Sequence, residues 1–272
     1  MTPFVQDADF TLWIGDLSDV LPTLSDGSVD AVVTSPPYLD ARPEYAGPRD
    51  FEYPMIFSEL ARVCAGGMLW NVGRLWRGGI EQMWWLELIR AAAISGWEHW
   101  DTGLWIKPNA NPLQGRVFVN SHEYVLVFGR DCVRFNEDAI RTPYKPSSLA
   151  RYKRPFKANA GVKGYDRPLH RRTDIPVDNR GARPRSYVEI VTGTEKGNPH
   201  PAPMALGLAE HLVSLACWPG QTILDPFAGS GTTAIAARKH GRSCVAIEKD
   251  EGYALLAADR LSQLSLLAEA AS

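Results

Sequence analysis

Short apolar runs alternate along the chain with segments of helical periodicity, which is the pattern of a sheet covered by helices. Several of the apolar runs hold almost no polar residue, so they predict strands that are buried on both faces. The predicted strands are Thr11–Gly15, Val29–Thr34, Met68–Val72, Gly103–Ile106, Tyr124–Phe128, Thr222–Leu224 and Cys244–Glu248. The predicted helices are Phe51–Cys64, Ile80–Ser95, Pro203–Cys217, Gly231–His240 and Glu251–Ser265. The alternation predicts an α/β fold.

The pattern fails between Asp131 and His200. Nine of the 20 prolines fall between Pro143 and Pro203, and within this stretch only Tyr187–Val191 resembles a strand. We therefore predict one α/β domain, residues 1–130 and 198–272, interrupted by an insert at residues 131–197.

The charge of the chain is also uneven. The net charge is -2, yet residues 131–200 hold 15 Lys and Arg against 8 Asp and Glu. A basic insert in an acidic protein is typical of a surface that binds a polyanion, because phosphate contacts come from Lys and Arg. A solvated basic loop would have the same charge. The candidate DNA-binding residues are Lys145, Arg151, Lys153, Arg154, Lys157, Arg171, Arg172, Arg183 and Arg185.

Other classes of protein are disfavoured. No stretch approaches the roughly 20 apolar residues that span a bilayer, and the start, MTPFVQDADF, has neither the basic nor the apolar part of a signal peptide. We expect a cytoplasmic protein. The four cysteines lie far apart without a CxxC pair, so neither a metal site nor a disulfide framework is expected.

A glycine-rich turn offers the first candidate binding site. The strand Thr222–Leu224 runs into Asp225-Pro226-Phe227-Ala228-Gly229-Ser230-Gly231-Thr232-Thr233, and a helical segment follows. This order lets a ligand approach N–H groups at a helix N-terminus. No Lys follows the glycines, which excludes a P-loop, and Glu248 ends the next strand, where an acid suits the hydroxyls of a ribose. NAD is one candidate ligand, and a plain helix cap by Ser230 or Asp225 is the alternative without a ligand.

Asp225 favours a different ligand. A carboxylate at the mouth of the turn would repel a pyrophosphate but attract an ammonium or sulfonium group. S-adenosylmethionine (SAM) carries a ribose, an amino group and a sulfonium, and no phosphate. Asp225 and Glu248 together therefore favour SAM over NAD.

Ser35-Pro36-Pro37-Tyr38 is the candidate reactive site. It follows the strand Val29–Thr34 directly, and α/β sheets bind their ligands at the carboxyl ends of strands. The two prolines have a fixed φ and no N–H, so the backbone there offers only acceptors. Together with the Ser35 hydroxyl they can accept hydrogen bonds from an NH₂ group while a planar ring stacks on Tyr38. A polyproline ligand is the alternative, which the position after an apolar strand disfavours.

Two further segments have less specific patterns. Lys107–Ser121 is rich in turn residues and is interpreted as either a DNA-contacting loop or a solvated connection. His122-Glu123 precedes a predicted strand and is interpreted as a local polar pair rather than a catalytic dyad.

Thr34-Ser35-Pro36-Pro37-Tyr38 together with Asp225–Thr233 resembles the DNA amino-methyltransferases, which methylate N4 of cytosine or N6 of adenine. The reactive motif precedes the SAM motif with the insert between them, an order that resembles the circularly permuted β class. The resemblance implies a SAM-dependent methyltransferase fold, a seven-stranded and mostly parallel sheet with one antiparallel strand. It also implies that the insert recognises double-stranded DNA, and it admits a homodimer and a cognate restriction endonuclease.

The resemblance also implies roles for single residues. Ser35, Pro36, Pro37 and Tyr38 would be catalytic: Tyr38 would stack on a flipped-out base while the Ser35 hydroxyl and Pro36 carbonyl accept hydrogen bonds from its amine. Asp16 would contact the adenosine of SAM, and His200 with Pro201 would line its methionine end. The full set of implied cofactor-binding residues is Asp16, Thr34, His200, Pro201, Asp225, Pro226, Phe227, Gly229, Ser230, Gly231, Thr232, Thr233 and Glu248.

The target base is the finest expectation. Ser35 at the first position of the motif resembles N4-cytosine enzymes, whereas N6-adenine relatives more often have Asp there. We therefore expect a SAM-dependent DNA methyltransferase that acts on N4 of cytosine. The alternatives are an N6-adenine enzyme and a nucleic-acid-binding protein that has the methyltransferase fold without the activity.

Overall fold

A nine-stranded mixed sheet runs through the larger of the two units into which the chain divides. The computed structural model describes residues 2–37, 52–112, 117–131, 133–152, 180–193 and 203–270. The larger unit comprises Met1–Asn136 and Arg185–Ser272, and the smaller unit comprises Glu137–Pro184.

The sheet contains the predicted strands, including the one predicted within the insert, and one short additional strand at Val5–Gln6. In spatial order, its strands are β1 (Val5–Gln6), β2 (Phe10–Ile14), β11 (Ser243–Glu248), β10 (Thr222–Asp225), β3 (Ala31–Thr34), β4 (Met68–Val72), β8 (His122–Gly129), β7 (Glu98–Ile106) and β9 (Tyr187–Glu189). From β2 to β7 all strands run in one direction except β8, which is antiparallel to both of its neighbours. Within the described ranges the sheet has nine strands rather than the expected seven, because β1 and β9 extend its two edges.

Helices cover both faces of the sheet, which confirms the predicted α/β class. One face packs against α1 (Leu17–Val20), α2 (Tyr53–Val63) and α3 (Trp85–Ile94). The other face packs against α5 (Leu206–Ala216), α6 (Thr232–Lys239) and α7 (Glu251–Ala270). None of the helices within the described ranges is long and apolar enough to cross a membrane.

Strand β4 shows how the sequence divides its side chains between two cores. Trp70 belongs to the core on the α2 side, where its ring stacks on Phe57 with the centroids 4.7 Å apart, and Leu69 belongs to the opposite core. Fully burying a side chain such as Phe57 contributes about 1.5–3 kcal/mol. Asn71 is the exception in this strand, since it is polar and only 1% exposed.

The helix predicted at Ile80–Ser95 is wrong in its first part. A two-stranded hairpin, β5 (Leu75–Arg77) and β6 (Ile80–Gln82), precedes α3. Its turn is Gly78-Gly79, whose φ values of 56° and 76° are in the left-handed region that two-residue hairpin turns require. Ile80, which contributed to the helical pattern, is 64% exposed.

The insert differs from the predicted segment 131–197 at both ends. The smaller unit spans Glu137–Pro184, and the segment Tyr187–Val191, predicted as a strand of the insert, supplies β9 to the large sheet through its pairing with β7. Within the smaller unit, the described residues form a 3-10 helix at Glu137–Ile140 and the helix α4 (Pro146–Tyr152).

Candidate active site

The reactive motif and the glycine turn meet at the carboxyl edge of the sheet. Their strands, β3 and β10, are parallel neighbours. The Thr34 hydroxyl donates a 2.6 Å hydrogen bond to Oδ1 of Asp225, which lies 191 residues later in the chain. Ser35, Pro36 and Pro37 follow Thr34 directly, so they lie beside the Asp225 turn. Tyr38 lies outside the described residues.

Asp225 is a buried carboxyl at the start of this turn. It is 3% exposed, and its Oδ1 also accepts a 3.1 Å hydrogen bond from the Phe227 N–H. Burial raises the pKa of the Asp225 carboxyl, and the neighbouring hydroxyls of Thr233 and Thr34 with the Phe227 N–H act in the opposite direction. A cationic group bound close to Asp225 would therefore stabilise the ionised form.

The glycine turn adopts a backbone that only glycine accepts easily. Gly229 and Gly231 have φ values of 51° and 78°, and Gly231 is the residue that starts α6 without any side-chain cap. The N-cap position of this helix is thus occupied by Gly231 and not by Ser230 or Asp225. The Ser230 oxygens instead face the Arg260 guanidinium, with Arg260 Nη1 3.2 Å from Ser230 Oγ. The first N–H groups of α6 need partners from outside the helix.

Glu248 lies at the tip of β11, next to the turn. Its Oε2 accepts a 2.7 Å hydrogen bond from the Gly229 N–H, and its Oε1 accepts one of 2.8 Å from the Asp250 N–H. Burial raises the pKa of the Glu248 carboxyl, and the negative charges of Asp225 and Asp250 add to the increase. Each oxygen of the Glu248 carboxylate has a further lone pair, so the group can also accept hydrogen bonds from two hydroxyl groups of a ligand.

Asp16 lies at the same edge of the sheet, one strand further along. Its Oδ1 caps α1 by accepting a 3.0 Å hydrogen bond from the Ser18 N–H, and its Oδ2 forms a 2.9 Å ion pair with Lys249. These interactions lower the pKa of the Asp16 carboxyl, the hydrogen bond with Lys249 most of all. The Gly15 N–H donates to the Glu248 carbonyl, which joins the tips of β2 and β11.

A second set of polar residues, which sequence reasoning missed, lies on the other side of Ser35. The Asn71 Nδ2 lies 3.5 Å from the Ser35 hydroxyl and 2.7 Å from Oε2 of Glu123. Glu123, interpreted from the sequence as a local polar pair with His122, is 7% exposed and forms an ion pair with Lys107. The signal in the sequence was the single polar residue within the apolar strand Met68–Val72.

The remaining predicted cofactor residues divide between described and undescribed parts. Thr232 and Thr233 are buried in the first turn of α6, and the Phe227 ring packs edge-on against Trp70 with the centroids 6.1 Å apart. Pro226, between Asp225 and Phe227, is also buried. His200 and Pro201 lie outside the described residues. No cluster of three or more His, Cys, Asp or Glu suited to a metal ion occurs in the described ranges.

Few of the predicted DNA-binding residues fall within the described part of the chain. Lys145 is exposed, Arg183 is paired with Glu137 at 2.8 Å, and the Arg185 guanidinium lies over the Tyr187 ring. Arg151 lies in α4. The residues outside the described ranges are Lys153, Arg154, Lys157, Arg171 and Arg172.

Comparison with known proteins identifies the family. Residues 29–259 match N6_N4_Mtase, a DNA methylase family. The chain is 31% identical over 277 residues to the type II methyltransferase M.ScaI of Streptomyces caespitosus, a match that covers 95% of this chain and 83% of that protein.

Two solved structures share the fold. The PvuII DNA methyltransferase (cytosine-N4-specific) superposes with a TM-score of 0.66 and 17% identity, over 94% of this chain and 88% of that one. M1.HpyAVI in complex with SAM superposes with a TM-score of 0.58 and 21% identity, over 92% of this chain and 99% of that one. The sheet is thus that of the SAM-dependent methyltransferases, and the chain belongs to the DNA methylase family N6_N4_Mtase.

Proposed function

We propose that this protein transfers the methyl group of SAM to the exocyclic N4 amine of a cytosine in double-stranded DNA. The observation that carries the proposal is the hydrogen bond between Thr34 and Asp225. It joins the segment suited to hold an amine to the segment suited to hold a methyl donor. Within the larger unit, both lie at the edge of the sheet where α/β proteins bind ligands.

The residues at this edge fit SAM. Asp225, Glu248 and Asp16 place three carboxyl groups at the tips of β10, β11 and β2. Lys249, a cation among them, is paired with Asp16. Carboxylates suit the hydroxyls and the positive charges of SAM, whereas the pyrophosphate of NAD would meet negative charge. When bound, SAM would supply an electrophilic methyl group on its sulfonium.

The protein's own part of the reaction is to position the amine. The Ser35 hydroxyl and Pro36 carbonyl accept N–H groups, and Tyr38 provides a surface on which the base stacks. With SAM bound, the nitrogen lone pair would point at the methyl carbon, and an N–C bond would form as the S–C bond breaks and its electron pair returns to sulfur. The methylated nitrogen would then release a proton to water. Because the amine is buried in paired DNA, the base leaves the stack before it reacts. Positioning of this kind supplies much of the rate of a bimolecular transfer.

The choice of cytosine rests on Ser35, which stands where N6-adenine relatives more often have Asp. The basic segment around the smaller unit is proposed to contact DNA, and a homodimer or a partner endonuclease remains a prediction. A protein without activity would not need Ser35, Asp225 and Glu248 together at one edge of the sheet.

A single assay tests the proposal. The protein is incubated with radiolabelled SAM and genomic DNA that lacks methylated amines, and the DNA is then digested to nucleosides. We expect label in N4-methylcytosine. Label in N6-methyladenine would change the target base, and absence of transfer by folded, SAM-binding protein would contradict the proposed activity.

A further inference from the structure

Asn71 is a buried amide whose two polar atoms have very different surroundings. It sits near the carboxyl end of β4, is 1% exposed, and has its Nδ2 between Glu123 and Ser35. Its Oδ1 is buried and has no hydrogen-bond partner among the described residues. A buried acceptor without a partner costs free energy, and a donor on a ligand bound beside Ser35 would satisfy this one.

Glu123 determines which way this amide faces. A carboxylate only accepts hydrogen bonds, so the atom 2.7 Å from Glu123 Oε2 is the amide nitrogen, and the oxygen occupies the other branch of the side chain. Lys107 is paired with the other oxygen of Glu123 and lies over the Trp105 ring, 4.7 Å from its centroid. This ion pair compensates the buried charge and holds Glu123 in place.

The position of Asn71 relates it to the reaction. Its nitrogen is within 3.5 Å of the Ser35 hydroxyl, the group proposed to hold the target amine. As the amine attacks, its nitrogen changes from planar to tetrahedral, its N–H groups leave the plane of the ring, and it acquires positive charge. A third acceptor beside Ser35 and Pro36 would keep both N–H groups engaged through this change. Its carbonyl dipole would also stabilise the developing charge.

We propose that Asn71 Oδ1 accepts a hydrogen bond from the target amine in the transition state, and that Glu123 is the positioning residue that orients it. This inference rests on the proposed function. An interaction that strengthens as the nitrogen becomes cationic lowers the barrier more than it tightens DNA binding. Its loss therefore reduces kcat and leaves KM for DNA nearly unchanged.

The test compares Asn71→Leu with the wild type, using tritiated SAM and genomic DNA that lacks methylated amines. We expect kcat to fall at least about tenfold, with KM for DNA and the Kd of SAM each within about threefold of wild type. Asn136→Leu is the matched control. It removes a half-buried amide whose Nδ2 faces the Cys217 carbonyl, beyond the end of α5, and kcat is expected to be unchanged.

Glu123→Gln provides an independent measurement with a near-isosteric side chain. A glutamine can turn its side-chain nitrogen toward Asn71. The Asn71 amide would then favour the flipped orientation, with its oxygen facing that nitrogen and its own Nδ2, a donor, facing the cationic amine. We expect a similar loss of kcat, and the double variant should be no slower than Asn71→Leu alone, because both changes remove the same interaction. If Asn71→Leu does not fold, Glu123→Gln decides by the same criteria.

The outcomes separate this inference from the proposed function. Wild-type kcat in the folded Asn71 variant, a rise in KM with kcat unchanged, or additive losses in the double variant would overturn the role of Asn71 while methyl transfer stands. No transfer to DNA by the wild type itself would overturn the proposed function and this inference with it.

Discussion

Folding shifts the pKa values of two carboxyl groups at the same edge of the sheet in opposite directions. Burial raises the pKa of Asp225, whereas the interactions with Lys249 and Ser18 lower the pKa of Asp16. A carboxyl whose pKa is raised by folding contributes most to stability at a pH below the pKa that it has in the unfolded chain. This contribution is lost as pH rises through its pKa in the folded protein, so at neutral pH its buried charge is unfavourable. A carboxyl with a lowered pKa contributes above its unfolded pKa, and this contribution is lost as pH falls through the folded pKa.

Asp225→Asn is therefore expected to raise the Tm at pH 7.5 while it weakens SAM binding. The substitution keeps an oxygen that can accept from Thr34 and Phe227 but removes the buried charge. The gain in Tm should shrink as pH falls toward about 3.9, the unfolded pKa of aspartate. Thermal denaturation over a pH series and calorimetric titration with SAM measure the two effects.

Asp16→Asn is the opposite case and serves as the control. It should lower the free energy of unfolding at pH 5 to 7.5 by less than about 1 kcal/mol, because an exposed ion pair contributes little. The loss should shrink below about pH 3.9, the unfolded pKa of aspartate, and disappear as pH falls through the lowered pKa of folded Asp16. A lower Tm for Asp225→Asn at pH 7.5, or unchanged SAM affinity, would contradict the role assigned to Asp225.

Ser35→Ala tests the reactive motif itself. Removing the hydroxyl deprives the target amine of one acceptor and lets it rotate, so kcat should fall by about 100-fold while the Kd of SAM stays within about twofold. Ser95→Ala removes a hydroxyl that donates to the Pro54 carbonyl before β7 and should leave kcat unchanged. Equal rates for both variants in the labelled-SAM assay would remove Ser35 from the mechanism.

At the scale of residues, the sequence allowed prediction of groups that lie in a local motif. Ser35, Asp225 and Glu248 each follow or end an apolar strand, and the order of strand and turn is enough to place them at one edge of the sheet. The contact between Asn71 and Glu123 could not be predicted, because it depends on β4 and β8 being neighbours in the sheet. That pairing depends on the order of strands in space, which no local pattern contains.

At the scale of elements, the glycine turn is also where α6 and α7 pack together. A Cβ added to Gly231 would lie 2.9 Å from the Cβ and 3.3 Å from the Cα of Ala257 in α7. Gly231 also has a φ of 78°, which costs any other residue about 1–2 kcal/mol. The turn is thus constrained both by its own backbone and by the neighbouring helix.

Gly231→Ala is expected to lower the free energy of unfolding by at least about 1 kcal/mol more than Gly220→Ala. Gly220 has a φ of 84° at the other end of β10, and a Cβ there would meet nothing within 4 Å. The two substitutions therefore share the backbone strain and differ in the contact with α7. Urea denaturation measures the difference, and SAM titration should show weaker binding only for Gly231→Ala. Equal destabilisation by the two substitutions would mean that α7 shifts to accommodate the new Cβ at no cost in free energy.

Strands with an uninterrupted apolar run were predicted well, whereas elements that depend on a turn or on a distant partner strand were not. The bounds of β4 are as predicted, because its five residues are apolar apart from Asn71 and lie between two glycine-containing connections. The segment at residues 75–82 has apolar residues at helical spacing, but its two glycines favour a hairpin, and the turn determined the structure. Strand β9 has three residues and depends on β7, which lies more than 80 positions earlier, so its place in the sheet is a tertiary effect.

At the scale of the whole molecule, positive charge is concentrated in and around the smaller unit, but part of it is already neutralised. In the described part of that unit, Asp138 pairs with both Arg141 and Arg180, and Glu137 pairs with Arg183. The Arg180 and Arg183 side chains are exposed and their ion pairs are weak, so a phosphate group can replace the carboxylate at little cost, whereas the Arg141 side chain is only 7% exposed. The basic side chains released in this way can contact phosphates. The affinity for DNA would then decrease as the salt concentration rises.

Replacing Lys145, Arg183 and Arg185 by Gln is expected to make DNA binding less dependent on salt. Each phosphate contact contributes about 0.9 to the slope of log K against log salt, so three contacts correspond to a decrease in steepness of about 2.7. Fluorescence anisotropy with a labelled duplex at several salt concentrations measures the slope. Lys239→Gln is the control, because Lys239 is paired with Glu210 at the C-terminal end of α6 and should leave the slope unchanged. An unaltered slope in the triple variant would assign the phosphate contacts to other residues, whereas an equal change in the control would show that only net charge matters.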